Sequence, residues 1–273
     1  MLKRILITGL VAFLNACGGG SDGDNQQVTE VKAQTLSYGL NAVVNVAGLD
    51  LRASMTATTG VCKDPTFSTQ SVPQLATLNC VVTAIGEQPI TITGSNGQVL
   101  YKGTLTVPLP QVALLTDKGN IVLELNPVAA PVTVNNFLKY VNSGYYASTM
   151  FHRVIAGFVV QGGGYTTGLV RKTGQTAPIA LESNKGLTNT RGTIAMARTS
   201  DPNSANSEFF FNLVDNTFLD YQNANDPGYA VFGKVVQGLD VVDAIGAIAT
   251  GVLNGVSDVP TTDVTIKLAL QSQ

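Results

Sequence analysis

Hydrophobic and polar positions divide the chain into a first part rich in short strands and a second part that mixes strands with helices. From about Val28 to Leu109, short β-favouring runs alternate with turn residues, and no stretch of useful length shows helical periodicity. The runs are Ala42–Val46, Leu49–Met55, Cys80–Ala84, Ile90–Thr93 and Val99–Val107. Asn96-Gly97 separates the last two, and this dipeptide strongly favours a hairpin turn. The pattern predicts a small antiparallel β-sandwich over residues 28–109, for which an immunoglobulin-like domain is one candidate.

The second part, which we place at residues 110–273, contains two segments with helical periodicity. Pro131 suits the first turn of a helix, and apolar residues then recur at helical spacing as far as Val141. Leu239–Ile245 predicts a second, shorter helix. Strands are predicted at Val112–Leu115, Ile121–Leu125, Ile194–Ala197, Glu208–Leu213, Ala230–Val235 and Val264–Ala269. The combination predicts a mainly β fold, a closed antiparallel barrel capped by two helices.

One stretch of the second part combines polar and apolar residues in a way that suggests a site. Phe151–Gly164, FHRVIAGFVVQGGG, holds the chain's single histidine, His152, next to Arg153. Strict alternation places Phe151 and Arg153 on one side of a strand and His152 on the other. A guanidinium among apolar neighbours, with the amide of Gln161 nearby, suits a neutral ligand. Alone, these residues favour a solvated or carboxylate-paired arginine and a packed histidine over a binding site.

Three long motifs carry a resemblance to a known family. FHRVIAGFVVQGG, GTIAMARTSDPNSANSEFFFNL and GYAVFGKVVQGLDVVDAI occur in one order between about Val112 and Ala269. In these motifs the second part resembles the cyclophilins, which are peptidyl-prolyl cis–trans isomerases. The resemblance implies an eight-stranded antiparallel barrel with two capping helices. It also implies catalysed rotation of X–Pro bonds in proline-containing polypeptides, without a cofactor.

The resemblance assigns roles to individual residues. Arg153 matches the catalytic arginine of the family. The residues that match the substrate site are His152, Phe158, Val159, Gln161, Ala197, Arg198, Glu208, Phe210, Phe218, Leu219 and Tyr229. His152 lies beside the substrate site and is not expected to act as a general base. One histidine without a cysteine cluster predicts no metal site.

Four positions depart from the commonest pattern of the family. Val159 stands where many members have Met. Glu208 stands where most have Gln, so an acceptor-only carboxylate replaces an amide. We expect it either to orient Arg153 by pairing with it or to compete with the substrate for it. Phe218 and Tyr229 stand where animal cyclophilins have Trp and His, and cyclosporin is therefore expected to bind weakly.

The chain starts with the features of an export leader. Lys3 and Arg4 precede a short apolar run, and Leu14 to Cys17, LNAC, resembles the lipobox of bacterial lipoproteins. The resemblance implies a signal peptide over residues 1–17 and acylation of Cys17. Because each buried methylene contributes about 0.8 kcal/mol, two or three acyl chains would hold the protein on a membrane. An ordinary leader followed by a chance cysteine is the alternative.

The residues after the cysteine predict a tether and a location. Residues 18–27, GGGSDGDNQQ, are polar and glycine-rich, which is typical of a flexible linker. By resemblance to enteric lipoproteins, Gly18 favours the periplasmic face of the outer membrane. The charged fraction of 12% and formal net charge of −2 come without an Arg/Lys run, so nucleic acid is not expected as a partner.

Two cysteines remain for the first part of the folded chain. If Cys17 is acylated, Cys62 and Cys80 are the only free thiols left. In an oxidising compartment they are expected to form a disulfide, worth about 3 kcal/mol for a loop of this length. Free buried thiols are the alternative.

Three functions fit the sequence. The first is a lipid-anchored isomerase that assists folding of exported proteins. The second is a module that binds proline-containing segments without turnover, because Glu208 suppresses it. The third places the working surface in residues 28–109, as an adhesion or assembly element.

Overall fold

The structure is a computed structural model that describes residues 26–51, 54–69 and 73–273. The predicted leader with Cys17, and residues 18–25 of the predicted tether, lie outside the described residues. Two compact units follow one another, the first ending at Pro108 and the second spanning Leu109–Gln273. Of the helices in the described residues, none combines the length and apolarity needed to span a bilayer.

The first unit is, in its described residues, a sandwich of seven strands. They are β1 (Gln27–Thr35), β2 (Asn41–Leu49), β3 (Thr56–Thr59), β4 (Cys62–Thr69), β5 (Leu75–Val82), β6 (Gly86–Thr93) and β7 (Val99–Val107). One sheet has the order β1-β2-β5-β4 and the other β3-β6-β7, and both sheets contribute to one hydrophobic core. This is the strand order of a constant-type immunoglobulin domain. The predicted sandwich is confirmed.

Two features of this unit differ from the sequence prediction. The strand predicted over Leu49–Met55 is wrong, because β2 ends at Leu49 and β3 starts only at Thr56. Asp50 takes a left-handed φ of 52°, which turns the chain, and Leu51 is then buried in the core. In addition, β1 begins at Gln27, within the range assigned to the tether.

The predicted disulfide is present. Cys62 on β4 and Cys80 on β5 are joined, with their Cα atoms 5.8 Å apart, and both residues are buried in the core. The bond therefore links neighbouring strands of one sheet. In antibody domains the disulfide instead links the two sheets.

The second unit is a closed barrel. Its strands are β8 (Gln111–Thr116), β9 (Gly119–Leu125), β10 (Thr149–Ile155), β11 (Val159–Thr166), β12 (Val170–Arg171), β13 (Thr193–Met196), β14 (Phe209–Asn212), β15 (Val231–Gln237), β16 (Thr250–Leu253), β17 (Val256–Pro260) and β18 (Thr265–Gln271). Eight of them follow the order β10-β18-β8-β9-β15-β13-β14-β11, and pairing of β10 with β11 closes the ring. The helices are α1 (Pro131–Asn142) and α2 (Leu239–Gly246). The predicted eight-stranded barrel with two helices is confirmed.

Aromatic rings fill much of the barrel interior. Phe137 of α1 lies 5.7 Å from Phe209 and 5.1 Å from Phe232, measured between ring centroids. Phe209 in turn contacts Phe211 at 5.6 Å. Since side chains alternate along a strand, Phe210 must point to the opposite, outer face. Of these three consecutive phenylalanines, Phe209 and Phe211 therefore pack in the core and Phe210 lies on the barrel surface.

Candidate active site on the barrel surface

Five residues in register form a row across neighbouring strands of the barrel. Arg153 on β10 faces Gln161 on β11, which faces Phe210 on β14. Phe210 faces Ala195 on β13, which faces Val231 on β15. Directly opposed residues of antiparallel strands have their side chains on one face. The row therefore places a guanidinium and an amide at one end of an apolar surface.

A break in the register of β10 gives Arg153 its outward direction. The ring of Phe151 lies inside the barrel, 6.4 Å from Phe209 and 6.2 Å from Phe211. Between Phe151 and Arg153 the pairing with β11 shifts by one residue. The prediction that Phe151 and Arg153 share a side is therefore wrong, because a bulge breaks the alternation. As a result, His152 and Arg153 line the same cavity.

An apolar slot lies along the row. We use this name for a cluster of buried residues on the outer face, Val159, Ala195, Phe210 and Val231. Partly buried residues pack against it, namely Phe158, Leu187, Ala197, Leu219 and Tyr229. The structure thus brings together most of the residues that the sequence assigned to the substrate site.

Aromatic residues form the rim of the slot. The ring of Phe218 stacks on Phe158 at 5.8 Å, and 64% of Phe218 is exposed to solvent. Tyr229 meets Phe210 edge to face at 5.6 Å. The guanidinium of Arg198 lies over the Tyr229 ring, 4.5 Å from its centroid. The exposed Phe218 leaves apolar surface available beside the slot.

Three buried asparagines, which sequence reasoning missed, support the slot from behind. Asn216 donates hydrogen bonds to the Phe158 carbonyl at 3.0 Å and to the Asn212 side chain at 2.9 Å. Asn212 continues the chain to Asn189 at 3.2 Å. The backbone carbonyl of Asn216 also accepts the Leu219 N–H at 2.8 Å. Phe158 and Leu219, on two walls of the slot, are thus both hydrogen-bonded to the buried residue Asn216.

The three consecutive glycines of β11 lie at a break in its pairing with β10 and allow close packing there. A Cβ at Gly162 would lie 2.8 Å from the Phe151 ring, and one at Gly163 would lie 2.6 Å from the Ser207 carbonyl. A Cβ at Gly164 would lie 2.5 Å from the carboxylate of Glu208. The missing side chain at Gly164 therefore makes room for the Glu208 carboxylate.

Glu208 pairs with neighbours other than Arg153. Its carboxylate accepts a hydrogen bond of 2.9 Å from Gln161 and lies 3.4 Å from His152 Nε2 and 3.9 Å from Arg171. Burial alone would raise the pKa of Glu208, but hydrogen bonds from His152 and Gln161 and the charge of Arg171 outweigh it and lower this pKa. The expected pairing of Glu208 with Arg153 is wrong.

Arg153 has a different acidic neighbour. Its Nε lies 3.5 Å from Oδ2 of Asp258, and both side chains are about two-fifths exposed. Asp258 belongs to β17, which pairs with β16 in a hairpin. Neither strand was predicted, although Asn254-Gly255 between them is a dipeptide that favours a two-residue hairpin turn.

A cavity of about 300 Å³ lies at the Arg153 end of the row. Its lining residues are His152, Arg153, Gln161, Tyr165, Leu169, Glu208, Asn254 and Val256. His152 is buried, its ring is 4.6 Å from that of Tyr165, and its Nδ1 has no hydrogen-bond partner in the structure. Across the described ranges, no cluster of three His, Cys, Asp or Glu side chains is placed to hold a metal.

Fold and site together define a class of protein: a closed antiparallel barrel with two helices, carrying an apolar surface slot with an arginine at its end. The sequence model of the family described as "Cyclophilin type peptidyl-prolyl cis-trans isomerase/CLD" matches residues 111–269. The chain belongs to this family, and its activity class is that of a peptidyl-prolyl cis–trans isomerase.

Bacterial relatives match at high identity. The chain is 52% identical over 160 residues to peptidyl-prolyl cis-trans isomerase cyp18 of Streptomyces antibioticus, which covers 58% of this chain and 96% of that protein. It is 48% identical over 164 residues to peptidyl-prolyl cis-trans isomerase B of Escherichia coli, covering 59% of this chain and 99% of the relative.

Solved cyclophilin structures are also similar. One from Cryptosporidium parvum matches with a TM-score of 0.51 at 25% identity, over 61% of this chain and 99% of that one. A second structure of the same protein, obtained in the presence of the dipeptide Ala-Pro, matches with a TM-score of 0.50.

Proposed function

We propose that the protein rotates X–Pro bonds with Arg153 as the catalytic residue and the apolar slot as the holder of the proline ring. The observation that carries this proposal is the row in which Arg153, Gln161 and Phe210 face one another in register. Phe210 supplies the apolar surface, and Arg153 supplies a cation at its end. A structure of a similar cyclophilin obtained in the presence of the dipeptide Ala-Pro supports the same ligand class.

The chemistry follows from the barrier to rotation. Resonance gives the peptide bond a barrier of about 18–20 kcal/mol, and uncatalysed X–Pro exchange takes tens to hundreds of seconds. When the bond is twisted, the prolyl nitrogen regains its lone pair and accepts a hydrogen bond that the planar form cannot. A donor aimed at this nitrogen stabilises the transition state selectively, and about 1.4 kcal/mol gives a tenfold gain.

Residues around the slot serve to hold the substrate. Burial of the ring against Phe210 and Val159 fixes it while the preceding carbonyl swings, and excludes water from the hydrogen bond. Arg198 donates to the carbonyls of Gly228 at 3.0 Å and Thr199 at 2.8 Å, so its guanidinium is tied to the wall. Gln161 has one N–H engaged by Glu208, and its second N–H is available to the peptide backbone.

The experiment that tests the proposal is an isomerisation assay with a short X–Pro peptide and the mature protein. We expect the protein to accelerate cis–trans exchange of the peptide clearly above the uncatalysed rate. If the protein binds the peptide and gives no acceleration, the groove is a binding module and the catalytic proposal fails.

We propose further that the isomerase acts on exported proteins from a lipid anchor, at the periplasmic face of the outer membrane. The lipobox-like residues before Cys17 and the disulfide of the first unit support an oxidising compartment outside the cytoplasm. Mass spectrometry of the mature N-terminus should find acyl chains on Cys17. Cys17→Ser should release the protein from membranes. An unmodified Cys17 would refute the anchor and leave the isomerase proposal intact.

Weak cyclosporin binding follows from the rim of the slot. Phe218 stands where a donor indole is expected in cyclosporin-sensitive members, and a phenyl ring has no N–H to donate. Phe218→Trp should tighten cyclosporin inhibition. Equal inhibition of both proteins would show that the missing donor has no effect.

A further inference from the structure

Asp258 adopts an unusual backbone conformation next to Arg153. Its φ is 63°, in the left-handed region that residues other than glycine rarely occupy. It lies in β17, which pairs with β16 to form a hairpin outside the ring of the barrel. At the tip of the hairpin, Asn254 and Val256 line the same cavity as Arg153.

The contact between the two side chains involves Nε of Arg153 and leaves its terminal nitrogens free. Oδ2 of Asp258 faces Nε of Arg153 at 3.5 Å. A guanidinium carries five N–H donors, and Nε carries one of them. The four donors on the terminal nitrogens remain available. Asp258 therefore lies beside Nε and does not contact the terminal nitrogens that would meet a substrate.

The other nearby carboxylate is already engaged. Glu208 lines the same cavity but contacts Gln161, His152 and Arg171. Within the described residues, Asp258 is the acidic side chain that pairs with Arg153. Asp258 is thus the carboxylate that can influence the direction of the Arg153 side chain.

We propose that Asp258 is a positioning residue for the isomerase reaction, which holds the Arg153 guanidinium with its terminal N–H groups towards the twisted imide nitrogen. This inference rests on the proposed role of Arg153. Both side chains are partly exposed, so the pair contributes little to stability. Its effect is to reduce the number of conformations among which Arg153 must find the productive one.

Two variants separate the side chain from the backbone. Asp258→Asn keeps the shape and a residue type that tolerates a left-handed φ, and it removes the charge. Asp258→Gly removes the side chain and accepts the φ without strain. From the usual strength of exposed ion pairs, we expect kcat to fall roughly two- to fivefold in both. Peptide affinity should be unchanged, because the slot is untouched.

A matched control breaks another ion pair of the barrel. Lys234 and Glu124 lie 3.3 Å apart on neighbouring strands and do not line the cavity. Glu124→Gln should leave kcat at the wild-type value. The melting temperature of each variant should stay near that of the wild type, so that a loss of activity is not a loss of folded protein.

Combination with Arg153→Ala decides whether Asp258 acts through Arg153. On the full-length protein, exchange of an X–Pro peptide is followed by NMR, with its affinity measured in parallel. Asp258→Asn should lower kcat in the wild type and have no further effect in Arg153→Ala. Unchanged kcat in both Asp258 variants, or an equal loss with Arg153 absent, overturns the inference. Wild-type kcat in Arg153→Ala alone would instead refute the proposed role of Arg153.

Discussion

The side-chain nitrogen of Gln161 lies 2.9 Å from the carboxylate of Glu208, and donates a hydrogen bond to it. The bond fixes the amide next to Arg153, which Gln161 faces across the β10–β11 pair. Glu208 therefore contacts Gln161 and His152 rather than Arg153. Its carboxylate neither orients Arg153 nor competes for it.

Glu208→Gln should accordingly preserve turnover. The amide oxygen can still accept the bond from Gln161, and no contact to Arg153 is lost. We expect kcat/KM within roughly twofold of the wild type, or somewhat higher. The peptide assay checks this. A loss of tenfold or more (about 1.4 kcal/mol) would mean that the carboxylate has a catalytic role that its contacts do not explain.

The rate should be flat between about pH 6 and 8, since the proposed chemistry transfers no proton and arginine stays charged throughout this range. The carboxylate of Glu208 adds no step, because its pKa lies below the ordinary value and it remains ionised above pH 6. The control is the uncatalysed exchange at each pH. A rate that changes steeply with a single protonation in this range would contradict a mechanism without proton transfer.

Asn216 offers a test of the support behind the slot. Asn216→Ala leaves the Phe158 carbonyl and the Asn212 side-chain oxygen without this buried donor. The expected cost in the free energy of unfolding is about 1–3 kcal/mol. Peptide affinity should also fall, because the Phe158 wall of the slot loses its side-chain anchor, whereas the backbone bond from Leu219 to residue 216 is kept.

Asn225→Ala, at an exposed position, is the matched control and should change neither quantity. Urea unfolding and peptide titration give the two measurements. If Asn216→Ala keeps full peptide affinity, the asparagine network is not needed to shape the slot.

The disulfide should stabilise the first unit without affecting catalysis. Replacing Cys62 and Cys80 together by Ala removes a crosslink that closes a loop of 18 positions, which is worth about 3 kcal/mol. In unfolding of the full chain, the first unit should unfold at a lower denaturant concentration than in the wild type. Peptide turnover should stay at the wild-type level. Turnover that falls in parallel would show that the second unit depends on the first.

Most of the barrel and the slot could be predicted, because they depend on local patterns and contiguous motifs. Phe210 is an example, since its alternation with Phe209 and Phe211 follows from the pleat of a strand. The direction of Arg153 could not be predicted, because a bulge at His152 leaves no mark on the pattern of apolar residues.

Contacts between distant segments were also beyond the sequence. Asp258 reaches Arg153 from a hairpin whose Asn254-Gly255 turn has a local signal, but the contact of this hairpin with β10 has none. The same limit applies to Glu208, for which the sequence offered Arg153 as partner and the fold supplies Gln161 and His152. Strand pairing in the closed ring brings Glu208 to Gln161, whereas the contact of Asp258 comes from a hairpin outside the ring.

The proposed catalytic role of Arg153 is tested most directly with Arg153→Ala. The exchange rate of an X–Pro peptide is measured by NMR, together with the affinity of the protein for this peptide. Removal of one preorganised donor to a transition state typically costs about 100- to 1000-fold in kcat. We expect a loss of this size with peptide affinity nearly unchanged, because the slot of Phe210 and its neighbours is intact. Turnover close to the wild type, or a loss explained entirely by weaker binding, would contradict it.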